Sequence, residues 1–458
     1  MKGCYSYMDK VAQRDERREM ISLFWPVFIE QGLTIMIGMV SAMMVSNVGD
    51  FAVSGVNLVD TINFMVISVF NALAAGATVV VAQKIGARKA DDAGETAGQA
   101  IAVCVLSASV LGLLAIFGGG ALLRLLYGSA EENVLQAGSI YFMFSGFSYP
   151  LLGLFVACAG IMRASRNSRT PMIASVLSNI VNISLAYLFI RLGLGVVGVS
   201  IAMLCARATS GIFCYIMLLR DHSIFTLKPG LPRLKMSVLR PILNVGVPSG
   251  IDTFIFNGAR VVMTVFMSGM GTAALHANAI ANSLSSFMNL PGNAISIISV
   301  TLVGQAYGAR LFKKVKQYML KLCGYASLMQ VIIFIPLYFL LDFFIGLYGA
   351  SEETRGLVRR LVITLGVLSP FIWGFAFCLP QMLRACGDAR ATMAVSVSSL
   401  FALRVFGAWF FGIHLGWGVF GVWTGMFFDW FGRGIGFILR ALSNKWNGGK
   451  KPVDEGII

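Results

Sequence analysis

The stretch "VAQKIGARK" at residues 81–89 has a near copy, "VGQAYGARL", at residues 303–311. Each copy is a polar, glycine-spaced break at the end of a long apolar run, and the two copies lie 222 positions apart. Gly86 and Gly308 are the residues at which we expect these runs to end as helices. The same break in both halves of the chain predicts an internal repeat.

Three further pairs of segments extend this repeat, at offsets of 221 to 223 positions. They are "YGSAEEN" (127–133) with "YGASEET" (348–354), "GIMRASRNSR" (160–169) with "QMLRACGDAR" (381–390), and "LGLGVVGV" (192–199) with "LGWGVFGV" (415–422). The repeat therefore runs through nearly the whole chain, and the sequence consists of two related halves.

The composition is that of a membrane protein. Of the 458 residues 57% are hydrophobic and 12% are charged, with a mean hydropathy of +0.78, whereas an ordinary soluble domain has about 25% charged residues. The eight cysteines show no paired spacing, so we expect neither a disulfide nor a metal site.

A spanning helix needs about 20 mostly apolar residues, and the sequence contains twelve such segments. They lie at residues 21–45, 54–82, 97–121, 138–162, 171–190, 196–219, 241–267, 274–304, 318–347, 358–383, 392–412 and 417–440. Six spans in each half place both repeats in the same orientation, related by a pseudo-twofold axis along the membrane normal. We predict an all-α polytopic protein with an N-terminal segment 1–20, a lobe 21–219, a linker 220–240, a lobe 241–440 and a tail 441–458.

The positive charge is distributed unevenly between the predicted loops. On one side of the predicted membrane lie 27 of the 36 Lys and Arg residues, whereas five lie on the other side. Positively charged loops remain in the cytoplasm, so we expect a multi-pass protein of the cell membrane with both termini cytoplasmic. The net charge of +15 is explained by this topology, and we expect no nucleic-acid partner.

Together with the helix-breaking Pro26 and Pro248, these repeated motifs resemble the multidrug and toxic compound extrusion (MATE) family. The resemblance extends from about Leu23 to Arg440, and its motif residues are Gln83, Gly86, Gln305, Gly308, Pro26 and Pro248. It implies an antiporter that exports organic, often cationic or amphipathic, compounds by alternating access in exchange for H⁺ or Na⁺. We expect small-molecule substrates, contact with membrane lipids and a monomeric protein. We expect no cofactor.

Two acidic residues lie deep inside predicted spans, where each ionisable group costs about 2.5 to 3.5 kcal/mol. Glu30 follows Pro26 by four residues, and Asp252 follows Pro248 by four residues. We predict that these two acids face a cleft between the lobes and couple ion binding to transport. The alternative is a structural ion pair with a basic neighbour, for which Arg260 is the candidate partner of Asp252.

The chain departs from the family pattern in the first lobe. Many members carry two further acids there, at positions where this chain has Ser41 and Ala186, although Asn182 is retained. Only Glu30 then remains as an acid for that lobe, which favours H⁺ over Na⁺ because a proton needs a single carboxylate. The residues that we predict to line the cavity are Gln31, Ser41, Ser178, Asn179, Asn182 and Asn257.

A second group of charges lies in the last two predicted spans. Asp429 and Arg433 are one helical turn apart, and Arg404 lies at a similar depth in the preceding span. We predict a structural ion network of these three residues, joined by Arg207, which precedes Asp429 by 222 positions. We expect Asp60 and Asp342, near the outer ends of their spans, to be solvated.

Two other functions were compared with export. A flippase for lipid-linked precursors has the same topology, but its cavity for an anionic pyrophosphate calls for Arg or Lys. The first, second and eighth predicted spans have no basic residue in mid-membrane, which favours neutral or cationic cargo. An intramembrane enzyme is disfavoured because the sequence has no HExxH or GxSxG motif.

Overall fold

The computed structural model describes residues 2–46, 48–128, 130–221, 224–227 and 234–449, and this part of the chain contains helices but no strand. The α-helices are α1 (Lys2–Ser46), α2 (Asp50–Gly86), α3 (Ala90–Tyr127), α4 (Glu132–Ala164), α5 (Arg169–Arg191), α6 (Gly195–Arg220), α7 (Met236–Ser268), α8 (Thr272–Gly308), α9 (Phe312–Phe339), α10 (Leu341–Leu347), α11 (Glu352–Trp373), α12 (Leu379–Ala385), α13 (Ala389–Ser399) and α14 (Gly418–Leu442). Three π-helical stretches (Gly374–Cys378, Leu400–Val405 and Ala408–His414) and a short 3₁₀ turn (Lys445–Asn447) complete the elements.

The all-helical, polytopic fold is confirmed. Within the described residues, eleven helices are long and apolar enough to cross a membrane. Two of them are composite, because α11 continues through a π-helical stretch into α12, and α13 continues through two π-helical stretches to His414. The twelfth predicted span corresponds to α14, a helix of 25 residues that carries Asp429 and Arg433 within its length.

The chain divides into two compact units, Met1–Gly246 and Val247–Ile458. The division falls inside α7, a few residues beyond the predicted start of the second lobe at residue 241. The start of α7 belongs to the first unit because Ile242 packs in a core cluster with Ala77, Val80 and Ala100. The middle of the predicted linker 220–240 and the end of the predicted tail 441–458 lie outside the described residues.

Helices α3 and α4 approach each other closely at two glycines. A methyl group added at Gly112 would lie 2.5 Å from the backbone oxygen of Gly146, and one added at Gly146 would lie 2.8 Å from that of Gly112. Small residues at a helix crossing let two backbones touch, which is the usual basis of helix association in membranes. This contact holds the first unit together near a core that contains Phe70 and Tyr149.

The π-helical stretches are confined to the second unit among the described elements. Between the 160–169 motif and the 192–199 motif the repeat offset rises from 221 to 223, so the second half has two extra residues there. The span Ala389–His414 contains two π-helical stretches, and a π-bulge absorbs one inserted residue without breaking the helix. The third stretch precedes Pro380, whose missing N–H leaves a carbonyl of the preceding turn without its usual donor.

The repeated motif ends its helices as predicted, with one difference of detail. Helix α2 ends at Gly86 and α8 ends at Gly308. The left-handed backbone conformation lies two residues further on, at Arg88 (φ 57°) and Arg310 (φ 59°). The glycines therefore close the last helical turn, and the chain reverses at an arginine in both halves.

Candidate functional site

A cavity of about 350 Å³ lies within the first unit, among α1, α2, α4, α5 and α6. We call it the first-unit cavity. The polar residues on its wall are Ser41, Asn57, Asp60, Tyr141, Ser178, Asn179, Asn182 and Arg207. Four of the six residues predicted to line the cavity are among them, whereas Gln31 and Asn257 lie half-buried on α1 and α7, away from this wall.

Asp60 is the carboxylate on the wall of the first-unit cavity. It accepts a hydrogen bond of 3.1 Å from Asn63 Nδ2 and a second from the Tyr141 hydroxyl. Asn63 is held in turn by the Tyr149 hydroxyl, which donates to Asn63 Oδ1 over 2.6 Å. Neutral donors thus fix the carboxylate in place while it remains exposed to the cavity.

We expected Asp60 to be solvated near the outer end of its span, and it is exposed; its place on a cavity wall was not predicted. The signal that was overlooked is the spacing of Asn57, Asp60 and Asn63, which are three residues apart in sequence. Residues at this spacing share one helix face, so three polar groups on an apolar helix must meet a polar surface. That surface is the cavity wall.

Arg207 also lies on this wall, and its predicted place in the ion network of the last spans stays a prediction. Its guanidinium donates to Ser148 Oγ over 2.6 Å and lies in the electrostatic field of Asp60. Asp429 belongs to the other unit, where its partners are Arg404 and Arg433. The basic charge of Arg207 therefore balances the acidic charge of Asp60 within the first unit.

Glu30 is buried and has a basic partner. Both of its carboxylate oxygens lie 3.0 Å from Nη1 of Arg163, at the end of α4. The pair joins α1 to α4 inside the first unit, and both side chains are largely shielded from solvent. The arginine thus gives this buried acid a counter-charge and a hydrogen-bond donor.

Asp252 repeats this arrangement in the second unit. It forms a buried ion pair with Arg384, which follows Arg163 by 221 positions in the repeated 160–169 motif. Arg384 Nε also donates to Thr392 Oγ1 over 3.3 Å. The prediction of Arg260 as the partner was wrong. Arg260 lies eight residues after Asp252 on the same helix, α7, whereas the ion pair of Asp252 is with Arg384.

A smaller cavity of about 70 Å³ lies within the second unit, and we call it the second-unit cavity. Its wall is formed by Arg260, Met263, Thr264, Met267, Asn278, Asn282, Arg404, Val422, Trp423 and Met426. At the repeat offset of 222, Arg260 matches Gly38 and Asn282 matches Asp60, both on the wall of the first-unit cavity. The two cavities therefore occupy corresponding places in the two repeats.

The network of Asp429, Arg433 and Arg404 forms in the second unit, as the sequence analysis expected. Asp429 Oδ1 accepts hydrogen bonds from Arg433 Nε (2.9 Å) and Ser399 Oγ (2.7 Å). Arg404 Nη1 lies 3.8 Å from Asp429 Oδ2. Both guanidinium groups lie against the ring of Phe256, at 5.0 Å for Arg404 and 5.2 Å for Arg433.

Internal structural repeats of membrane-spanning helices are characteristic of secondary transporters. The MatE family model matches residues 26–188 and 248–410, one match in each half of the chain. The chain thus belongs to the multidrug and toxic compound extrusion family, and it is a multi-pass membrane transporter rather than an enzyme.

Known proteins resemble the chain over almost its full length. "Uncharacterized transporter YisQ" of Bacillus subtilis (strain 168) is 27% identical over 444 residues, which cover 94% of this chain and 95% of that protein. "Probable multidrug resistance protein NorM" of Thermotoga maritima is 25% identical over 450 residues, covering 96% and 95%. A solved structure described as "Crystal structure of MATE in the bent conformation" has a TM-score of 0.87 at 19% identity, covers 95% of this chain and 97% of its own, and shares the fold.

Proposed function

We propose that the protein is an antiporter of the cell membrane that exports small organic compounds in exchange for H⁺. Membership of the family and the similarity to a probable multidrug resistance protein support export. The charge distribution of the loops supports cytoplasmic termini, and the completeness of each six-helix repeat supports a monomer. Na⁺ is the alternative coupling ion.

The observation that carries this proposal is the first-unit cavity. It combines one carboxylate, Asp60, with one guanidinium group, Arg207, and with amide and hydroxyl groups. A carboxylate in a confined cavity binds either a proton or a cation, and the two compete for the same oxygens. This competition is the exchange that an antiporter requires, and we therefore propose Asp60 as the residue that takes up the coupling ion.

H⁺ is favoured over Na⁺ by the charges around Asp60. One carboxylate is sufficient to bind a proton, whereas Na⁺ needs several oxygen ligands around the same point. No group of three or more His, Cys, Asp or Glu residues that suits a metal ion occurs in the described part of the chain. The amide oxygens of Asn57, Asn179 and Asn182 are the ligands on which the Na⁺ alternative depends.

Glu30 and Asp252 remain candidates for coupling, each now as a member of an ion pair. Because each acid is paired with a buried arginine, its protonation would leave that arginine without its counter-charge. Breaking one side of a buried ion pair costs about 3 to 5 kcal/mol. We propose that these two pairs open when the transporter changes conformation, and that Asp60 exchanges the ion.

One observation favours the flippase alternative. Arg207 lies on the wall of the first-unit cavity. The prediction against a flippase considered basic residues in the first, second and eighth predicted spans, and Arg207 lies in the sixth. A basic residue on the wall is what an anionic lipid-linked precursor requires. Asp60 on the same wall balances this charge, and we therefore retain organic export as the main proposal.

Expression in a bacterium that lacks its own efflux pumps tests export directly. A panel of radiolabelled lipophilic cations, neutral compounds and organic anions is loaded into the cells, and the retained amount is compared with that in cells carrying an empty vector. We expect lower retention of at least one compound class. Export of none of them, together with transfer of lipid-linked precursors across vesicles of the purified protein, would establish the flippase function instead.

A further inference from the structure

The second-unit cavity has two basic side chains on its wall. Arg260 and Arg404 both line it, and no acidic residue does. The neutral polar residues beside them are Thr264, Asn278 and Asn282. The volume of about 70 Å³ is several times the 10 to 15 Å³ or so that one water molecule requires, so a small polyatomic group fits inside.

Arg404 is buried, with 7% of its surface exposed, yet its hydrogen-bonding capacity is not used by the surrounding protein. Its Nε and Nη1 atoms make no hydrogen bond to any described residue. It lies in the π-helical stretch Leu400–Val405, a kind of irregularity that occurs frequently at functional sites. Buried donors without an acceptor are costly, and Arg404 also lies on the wall of the cavity.

Asp429 forms an ion pair with Arg404 but accepts no hydrogen bond from it, and its Oδ2 atom also has no hydrogen-bond partner among the described residues. Its Oδ1 atom already accepts from Arg433 and Ser399, and the 3.8 Å from its Oδ2 atom to Arg404 Nη1 exceeds a hydrogen-bond length. Arg433 is also buried, and its Nη2 atom has no hydrogen-bond partner among the described residues. One carboxylate thus faces two buried guanidinium groups and leaves positive charge in excess.

The asparagines of the wall add neutral donors. Asn278 Oδ1 accepts from Trp423 Nε1 (3.1 Å) and from Asn282 Nδ2 (2.9 Å). Because its oxygen is occupied by these two donors, the nitrogen of the Asn278 amide is the atom that can still donate. Asn278 thus adds one neutral donor to the two guanidinium groups of this wall.

We propose that the second-unit cavity binds an oxyanion, namely the carboxylate, sulfonate or phosphate group of a small solute or lipid. The planar fork of an arginine matches the geometry of such a group, and charge-assisted hydrogen bonds of this kind are about twice as strong as neutral ones. Arg404 binds the anion from the buried side and Arg260 from the exposed side. The site is a property of the second unit and does not rest on the exchange mechanism proposed above.

The fold itself does not require these charges. The first unit builds the corresponding cavity with Gly38 in place of Arg260 and with Asp60 in place of Asn282. A similar lobe therefore forms without a basic residue at the first position and with an acid at the second. In the second-unit cavity the positive charge has no acidic residue on the same wall, whereas Arg207 of the first-unit cavity shares its wall with Asp60, as expected of a ligand site rather than of a packing requirement.

Calorimetric titration of the purified full chain with inorganic phosphate tests the site. The protein is held in nanodiscs of phosphatidylcholine, and potassium chloride at equal ionic strength is the control titrant. We expect saturable binding of phosphate beyond the chloride control. Arg260→Gln weakens it by about tenfold, the loss of one charge-assisted interaction, and Arg404→Gln abolishes it.

Two further variants keep the test decisive if Arg404→Gln fails to fold. Asn282→Asp introduces the residue of the first-unit cavity and should weaken phosphate binding by at least about tenfold, whereas Arg359→Gln, at an exposed ion pair with Asp342, should leave it unchanged. Phosphate heats equal to those of chloride, or equal binding by wild type, Arg260→Gln and Asn282→Asp, would overturn the proposal. Repeating the titration with phosphatidylglycerol in the nanodiscs identifies the source of the anion: suppressed phosphate binding points to a lipid headgroup, and unchanged binding to a soluble solute.

Discussion

The cavity of the first unit has Asp60 where the cavity of the second unit has Asn282, and Gly38 where the second has Arg260. The first-unit wall combines one acidic and one basic residue, whereas the second-unit wall has two basic residues. Both cavities lie at corresponding places in a repeated fold, and the difference lies in a few side chains, of which Arg404 is in a π-helical stretch of the second unit. Two copies of one fold thus present sites of different charge, which the following substitutions test.

The largest effect is expected for Asp60→Asn, which keeps the shape of the side chain but cannot bind a proton. We expect it to abolish export of the compounds that wild-type protein removes from pump-deficient cells, because the first-unit cavity then has no carboxylate. Retained radiolabel per cell is the measurement. The matched control is Asp342→Asn, at an exposed acid on α10, and this variant should export normally. Equal export by both variants would show that Asp60 is not required for export.

The two buried ion pairs should respond alike, although the cavities differ. Arg163→Met and Arg384→Met each leave a buried acid, Glu30 or Asp252, without its partner. We expect each variant to lose about 3 to 5 kcal/mol of unfolding free energy, measured by denaturant titration in mixed micelles. A loss in only one unit would show that the pairs are not equivalent parts of the repeat.

A smaller difference between the units is expected at two matching serines. Ser178 donates to the backbone oxygen of Ala206 over 2.9 Å, whereas Ser399 donates to the Asp429 carboxylate over 2.7 Å. Replacing Ser178 by Ala should cost about 1 kcal/mol, and replacing Ser399 by Ala about 1.5 to 3 kcal/mol, because hydrogen bonds to charged groups are stronger. The same micelle titration measures both, and equal costs would argue against a stronger hydrogen bond at Ser399.

The smallest effect is expected for Ser41→Ala. Ser41 lies on the wall of the first-unit cavity at the position where many family members carry an acid. Removal of one neutral hydroxyl beside an intact Asp60 should change export by less than about twofold. The retained radiolabel of this variant, compared with that of Ser41→Asp, shows whether the cavity tolerates a second acid.

Most of the fold follows from the sequence. Hydrophobic segment length locates the spans, and the repeat locates matching residues, because both depend on local composition that the chain displays directly. The π-helical stretches were not predicted, although the change of repeat offset from 221 to 223 contains the signal. The spacing rule for an α-helix assumes a regular helix, and it does not show which turn takes up an extra residue.

The site was less accessible to sequence reasoning, for a specific reason. Depth along a helix identified Glu30 and Asp252 as unusual, but depth does not reveal partners more than a hundred residues away, such as Arg163 and Arg384. Asp60 was expected to be solvated, and it is exposed, but its position near a helix end did not show that it lies on a cavity wall. The sequence alone does not distinguish a carboxylate in bulk water from one on the wall of a cavity near a helix end.

The most direct test of the account compares two gradients in vesicles of purified protein loaded with an exported compound. Either a pH gradient or a Na⁺ gradient is imposed alone, and efflux is followed for wild type, Asp60→Asn and Glu30→Gln. The account predicts efflux driven by the pH gradient, its loss in Asp60→Asn, and a slowed but still pH-driven efflux in Glu30→Gln. Efflux driven by Na⁺ and unaffected by Asp60→Asn would show that both the coupling ion and its site have been assigned wrongly.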